Sequence, residues 1–216
     1  MRHTGYRKVF QRLGELKLLK KSYKGQTDEQ LMVLVAEGKA GAFEEIYERY
    51  KGPLFTYFHR MLWKDREKAE DFVQDLFTKI VHKPHLYNPQ RAFKTWLYSV
   101  ANNMCKNEYR KAEVRKGTVG GLDDNMAKAS SDVGGDVQFD RSNFTEALAD
   151  ELEQLDEKHR NVFILRFKHD LSIKEIADAL DISDGTVKSR IFYALKKLST
   201  RLKEFNPQYV ENYENE

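Results

Sequence analysis

The sequence predicts an all-α chain: two small helical domains joined by a flexible linker, the C-terminal one a helix-turn-helix. Three observations predict this. Nearly every apolar stripe repeats at helical spacing, and no convincing strand pattern occurs. The periodicity breaks once, over residues 113–141, where Gly117, Gly120, Gly121, Gly134 and Gly135 mix with Asp and Ser, a linker composition. It then resumes and ends on two amphipathic segments separated by a tight turn, the second of them basic.

The elements follow in order. A short helix is expected around Leu31–Ala36. Phe43, Ile46, Tyr47, Tyr50, Leu54, Phe58, Met61 and Leu62 form the next stripe, with Pro53 expected to kink or divide that helix. Ala69, Phe72, Val73, Leu76, Phe77 and Ile80 repeat the pattern and stop before Pro84. Phe93, Trp96, Leu97, Val100, Ala101 and Met104 make a further stripe, with Trp96 read as core. These helices bury one core within residues 27–112, the first domain. The second spans 142–203. Phe144, Leu148, Leu152 and Leu155, then Val162 and Leu165, carry its opening helices. Ser172-Ile173-Lys174-Glu175 is a capping box, in which the Ser hydroxyl and the Glu carboxylate each satisfy an orphaned backbone amide. It opens a helix that buries Ile173, Ile176, Ala177 and Leu180. Asp181-Ile182 turns the chain. Ser183 then caps a final helix whose buried stripe is Val187, Ile191, Ala194, Leu195, Leu198 and Leu202.

Composition limits the function classes. Of 216 residues, 40% are hydrophobic and 33% charged, proportions of a soluble globular protein. No stretch approaches the roughly 18 apolar residues that suggest a membrane span, so no direct membrane insertion is expected. Met1-Arg2-His3 leads into a charged segment rather than an apolar signal core. Cys105 is the single cysteine, which excludes an internal disulfide and a cysteine zinc site. A cytoplasmic protein without metal or cofactor is expected.

Charge is segregated. Residues 1–26, a basic N-terminal extension, carry eight Lys/Arg against one acidic residue. Residues 94–116 carry six against two, and residues 183–203 six against one. Residues 117–157 hold eleven Asp/Glu with Lys128 and Arg141 alone opposing them. Residues 204–216 form an acidic C-terminal tail. Two basic surfaces flanking an acidic stretch suit a chain that meets a polyanion twice.

Two sets of motifs carry a resemblance. The first half holds Ala42-Phe43-Glu44-Glu45-Ile46-Tyr47, Ala69-Glu70-Asp71-Phe72-Val73-Gln74-Asp75-Leu76-Phe77 and Ala92-Phe93-Lys94-Thr95-Trp96-Leu97-Tyr98-Ser99-Val100-Ala101-Asn102-Asn103. The second holds Leu171-Ser172-Ile173-Lys174-Glu175-Ile176-Ala177 and Gly185-Thr186-Val187-Lys188-Ser189-Arg190-Ile191. In order and spacing the chain resembles the extracytoplasmic-function sigma factors, a group reduced to sigma regions two and four, over roughly residues 28–202. It departs from the family where Leu155 is followed by Asp156, a position often held by Pro. It departs again near Tyr193, where related recognition helices are often richer in Arg.

The resemblance implies a non-enzymatic subunit that binds core RNA polymerase, recognises minus-10 and minus-35 promoter elements and promotes DNA melting. Melting needs bases held out of the stack beside a basic track. Asn103, Lys106, Asn107 and Arg110 share a polar helix face, and Asn presents both donor and acceptor to a base edge. The preceding loop, with Tyr87, Asn88 and Arg91, would by resemblance capture a flipped minus-10 base; the alternative is a plain connection with Tyr87 tucked against the core. Glu70, Asp71, Gln74 and Asp75 form an acidic face that should avoid phosphates. By resemblance it grips the clamp helices of the polymerase beta-prime subunit, and the beta flap is a further polymerase contact that the resemblance implies.

In the final helix, Thr186, Lys188, Ser189, Arg190, Phe192, Tyr193, Lys196 and Lys197 are the minus-35 candidates, entering the major groove where all four base pairs differ. Phe192 and Tyr193 suit thymine methyls, the alternative for Phe192 being to pack under the C-terminal tail, and the cations suit phosphate or guanine. Gly185-Thr186 is expected to offer free amides to a phosphate. An anti-sigma factor is a further candidate partner by resemblance. A linker of about 30 residues has a coil span of roughly 30 Å and a reach of about 100 Å, against roughly 50–70 Å between two boxes one and a half to two turns apart.

Two rival readings are weaker. His169-Asp170 resembles a dipeptide of metal-dependent phosphohydrolases, but the other histidines show no helical pairing with carboxylates. An ordinary regulator with a sensor domain would need a ligand pocket rather than an Asn-rich helix and an acidic face.

Overall fold

The computed structural model describes residues 23–118 and 141–203. Residues 1–22 of the basic extension, most of the acidic linker and the acidic tail lie outside the described residues. Among the described residues there are eight α-helices and no strand: α1 Asp28–Ala36, α2 Ala40–Met61, α3 Arg66–His82, α4 Phe93–Thr118, α5 Arg141–Glu153, α6 Glu157–Phe167, α7 Ile173–Leu180 and α8 Asp184–Arg201. A 3-10 turn, Pro84–Leu86, follows α3. Among the described residues two compact units result, one of residues 23–59 with Asp65–Ala101, the other of Arg60–Lys64 with residues 102–118 and 141–203.

The first unit is built on aromatic packing. α1 starts with Thr27, which caps the amide of Gln30 in a capping box. α2 is continuous through Pro53, so the expected division does not occur. The burial of Ile46, Tyr50, Leu54, Tyr57 and Phe58 along a single stripe outweighs the roughly 3 kcal/mol that an interior proline costs a helix. Tyr47 and Phe43 meet Phe77 of α3 edge-on at 4.8 and 6.0 Å. Phe58 meets Phe72 at 5.4 Å. On the other side Tyr50 meets Phe93 at 5.4 Å and Tyr57 meets Tyr98 at 5.4 Å. Such edge-to-face pairs add about 0.5–1.5 kcal/mol each beyond area burial, and they fix α2 as the central helix of this unit. Arg49 ties α1 to α2, donating to Asp28 at 2.7 Å and to Glu45 at 2.9 Å.

α4 runs to Thr118, six residues past the point where the apolar pattern fades. Charge supports the extra turns: Arg115 donates to the nearly buried Glu108 at 3.0 Å. The part of α4 beyond Ala101 belongs to the second unit, where Asn161 donates to Asn102 at 2.9 Å and the Tyr109 hydroxyl donates to the Met61 carbonyl.

The second unit centres on Leu152, Leu155, Ala194, Leu198 and Leu202, with Phe144, Ala147, Leu148 and Phe163 packed against them. α6 is capped by Asp156, which accepts from the His159 amide. The departure from Pro after Leu155 therefore has a local logic, because an acidic cap does the work of starting the helix. The Ser172/Glu175 capping box is present, with both bonds made at 2.8 and 3.2 Å. Asp181 then takes the left-handed conformation (φ 56°), which short polar side chains tolerate, and Ser183 caps α8. Leu195, expected on the buried stripe of α8, is 44% exposed. The partner elements cover only the Val187–Ala194–Leu198 line of α8.

Candidate nucleic-acid interface

The loop between α3 and α4 is tightly bonded. Asn88 accepts the amide of Gln90 on its side chain and that of Arg91 on its carbonyl, both at 3.0 Å. The Tyr87 hydroxyl donates to the Arg91 carbonyl at 2.5 Å. The Tyr87 ring is 4% exposed and lies against Phe93 and Trp96 at 5.4 and 5.2 Å. Burial, then the charges of Glu29 and Asp28, push its hydroxyl up to about 12. Tyr87, expected among the residues of a loop that captures a flipped base, is instead packed inward, the alternative arrangement for this loop, and its buried ring is not presented to a base. Asn88, Pro89, Gln90 and Arg91, which follow Tyr87, are exposed, as are Lys83, His85, Leu86 and Ala92.

On α4, Asn103, Lys106, Asn107 and Arg110 are all exposed, whereas Asn102, Met104, Cys105 and Glu108 are buried. The four exposed side chains follow the i, i+3, i+4, i+7 rule and form one line about 10 Å long. Two amides and two cations alternate along it. That arrangement offers hydrogen bonds to base edges and charge to the phosphates between them.

On α3, Glu70, Asp71, Gln74 and Asp75 are exposed, and Ala69, Val73, Leu76, Phe77 and Ile80 are buried on the opposite face. Glu70 is engaged by Arg66 at 2.9 Å, an exposed helix pair of small energy. The acidic line toward a partner is therefore mainly Asp71 and Asp75.

On α8, Lys188, Ser189, Phe192, Tyr193, Lys196 and Lys197 are exposed, and Thr186 and Arg190 are half-buried. Phe192 is 61% and Tyr193 53% exposed, and the two rings meet edge-on at 5.5 Å. Two expectations change in detail. The Thr186 amide is already taken by the Ser183 hydroxyl at 3.1 Å, so it is not a free donor for phosphate. Lys197 lies 3.6 Å from the Asp156 carboxylate, which trims its availability relative to Lys196. Burial alone would raise the Asp156 carboxyl, but the His159 ring, the His159 amide and Lys197 hold it below the usual range.

Among the described residues no group of three His, Cys, Asp or Glu is placed to hold a metal ion. Nor is any helix among them long and apolar enough to cross a membrane. His169 is buried at 6% exposure, a core position that takes it out of surface chemistry. Two residues missed by local pattern also shape the site: Asp156, and Glu29 of α1, whose carboxylate accepts the Phe93 amide at 2.9 Å.

Comparison with known proteins matches residues 46–115 to the family model of Sigma-70 region 2 and residues 152–200 to that of Sigma-70 region 4. The chain is 31% identical to the ECF RNA polymerase sigma factor SigW of Bacillus subtilis, over 79% of this chain and 94% of that protein. It is 32% identical to the ECF RNA polymerase sigma factor SigL of Mycobacterium tuberculosis, over 78% of this chain and 93% of that protein. In fold it is similar to the sigma factor RpoE solved with the anti-sigma factor NepR from Bartonella quintana. That similarity has a TM-score of 0.61 at 22% identity, covering 74% of this chain and 96% of that one. CnrH, solved with the cytosolic domain of CnrY, gives a TM-score of 0.60 at 24% identity, over 84% of this chain and all of that one. With both regions matched in order and near-full-length relatives above 30% identity, this chain belongs to the ECF family of RNA polymerase sigma factors, which direct promoter-specific transcription initiation.

Proposed function

We propose a division of labour among the three exposed faces. The Asn103–Arg110 line of α4, with Asn88 and Arg91 of the loop, reads the opened strand of the minus-10 element. The exposed residues of α8 read the minus-35 element as duplex, with Ser189, Phe192 and Tyr193 toward bases and Lys188, Arg190, Lys196 and Lys197 toward phosphates or guanine. The acidic face of α3 docks on the beta-prime clamp helices of core polymerase, and region four meets the beta flap. The chain acts by binding, without a catalytic step or cofactor of its own, and works where the polymerase works, in the cytoplasm. RpoE and CnrH were solved with an anti-sigma factor and with the cytosolic domain of CnrY. By extension an anti-sigma factor is a candidate partner here as well.

The observation that carries this reading is the α4 line, where two Asn alternate with two cations on a face the core leaves open. Asn103→Ala and Asn107→Ala are each expected to cost about 1–3 kcal/mol of promoter opening on the preferred sequence. The loss should shrink on templates already mutated at the contacted base. Holoenzyme binding to wild-type and mutated minus-10 strands measures both. An equal loss on every template would assign the two residues to folding or phosphate contact instead.

A further inference from the structure

α4 begins without a cap of its own. Ala92, whose carbonyl accepts the first helical bond from the Trp96 amide at 3.2 Å, has no side-chain acceptor for the free amides that follow it. Phe93 is completely buried, so water has no access to its amide, and a buried amide without a partner is costly. The acceptor comes from another helix. Glu29, in the first turn of α1 and 64 positions away, receives the Phe93 amide at 2.9 Å. Burial of the Glu29 carboxyl would raise its pKa. The Phe93 amide, its own amide and the Thr27 hydroxyl more than offset this, holding it below the usual carboxylate range.

The bond sits where the loop hands over to α4. Two residues upstream, the Arg91 carbonyl is held by Tyr87, and the Tyr87 ring rests on Phe93. Holding the Phe93 amide therefore fixes the end of the segment that exposes Asn88 and Arg91. We infer that Glu29 is a positioning residue for the minus-10 loop, setting its exit into α4 from outside the DNA-contacting surface. This rests on the minus-10 assignment above. The role is distance-blind to local pattern, because Thr27-Asp28-Glu29 looks like an ordinary acidic first turn.

The full-length chain tests it in two ways. In hydrogen exchange, Glu29→Ala should speed exchange of the amides of residues 90–93 by about tenfold, the scale of a lost helix cap, with α3 unchanged. Bound to core polymerase, the same variant should bind a single-stranded minus-10 oligonucleotide about tenfold more weakly and a minus-35 duplex as the parent does. Glu29→Gln, which keeps the acceptor, should restore the strand affinity to within about threefold. Unchanged exchange at 90–93 would overturn the inference, as would equal losses on both DNA elements or failure of the Gln variant to rescue. If the parent holoenzyme itself shows no preference for the minus-10 strand, the functional assignment falls, and with it the purpose given to Glu29, while the exchange result still decides its hold on the loop.

Discussion

Reversing Asp71 and Asp75 to Lys is expected to weaken binding to core polymerase by several kcal/mol, a hundredfold or more, because like charges are forced together across an interface. Both side chains are exposed and stand one helical turn apart on α3, spaced to meet Arg or Lys on a partner helix. The fold should survive, since the α3 core is Ala69, Val73, Leu76, Phe77 and Ile80. New like-charge neighbours at i, i+4, such as a Lys side chain at position 75 beside Lys79, cost only about 0.2–0.5 kcal/mol; circular dichroism checks the helix content. Minus-35 duplex binding through α8 should be unaffected. Titration of labelled chain with core enzyme at two salt concentrations reads the result, and the penalty should fall as salt rises. Parental affinity in a folded double variant would remove this face from the polymerase interface.

The second large effect concerns Arg160, which is 8% exposed. Its guanidinium donates to the Glu153 carboxylate at 3.0 Å and to the carbonyls of Glu153 and Leu155 at 3.3 and 3.0 Å. It also donates to the Arg60 carbonyl at 3.1 Å. Arg160 thus holds closed the turn between α5 and α6 on which Leu155 enters the core. Arg160→Met leaves a largely buried carboxylate and carbonyls without their donor and should destabilise the second unit by about 3–5 kcal/mol. Adding Glu153→Met removes the orphaned charge and should recover part of that loss. Denaturant unfolding followed by a probe in α8 measures it. A loss under about 1 kcal/mol would mean that the apolar cluster alone closes this turn.

What the sequence made legible divides along physical lines. Helical stripes and caps are local, so the capping box at Ser172 and Glu175 and the turn at Asp181-Ile182 are readable from spacing alone, though not the left-handed conformation of Asp181. The open faces of α3 and α4 followed from the same periodicity, being what the buried stripes leave outside. Three features were not readable because they depend on remote partners. Tyr87 is aromatic in a polar loop, and only the neighbouring Phe93 and Trp96 rings decide that it turns inward. Leu195 shares the period of the α8 stripe, yet the covering helices do not reach it. Glu29 caps a helix 64 positions away, a relation no window along the chain contains. Pro53 is the reverse case, where a strong local signal gives way to the packing of a long central helix.

As a sigma factor, this chain should open promoters only as part of a polymerase. The most direct measurement is permanganate reactivity of unpaired thymines in a promoter template, with core enzyme alone, with the chain alone, and with both. Reactivity around the minus-10 element is expected only in the third case. Specific protection of a duplex site by the chain alone, with no opening when core enzyme is added, would contradict it.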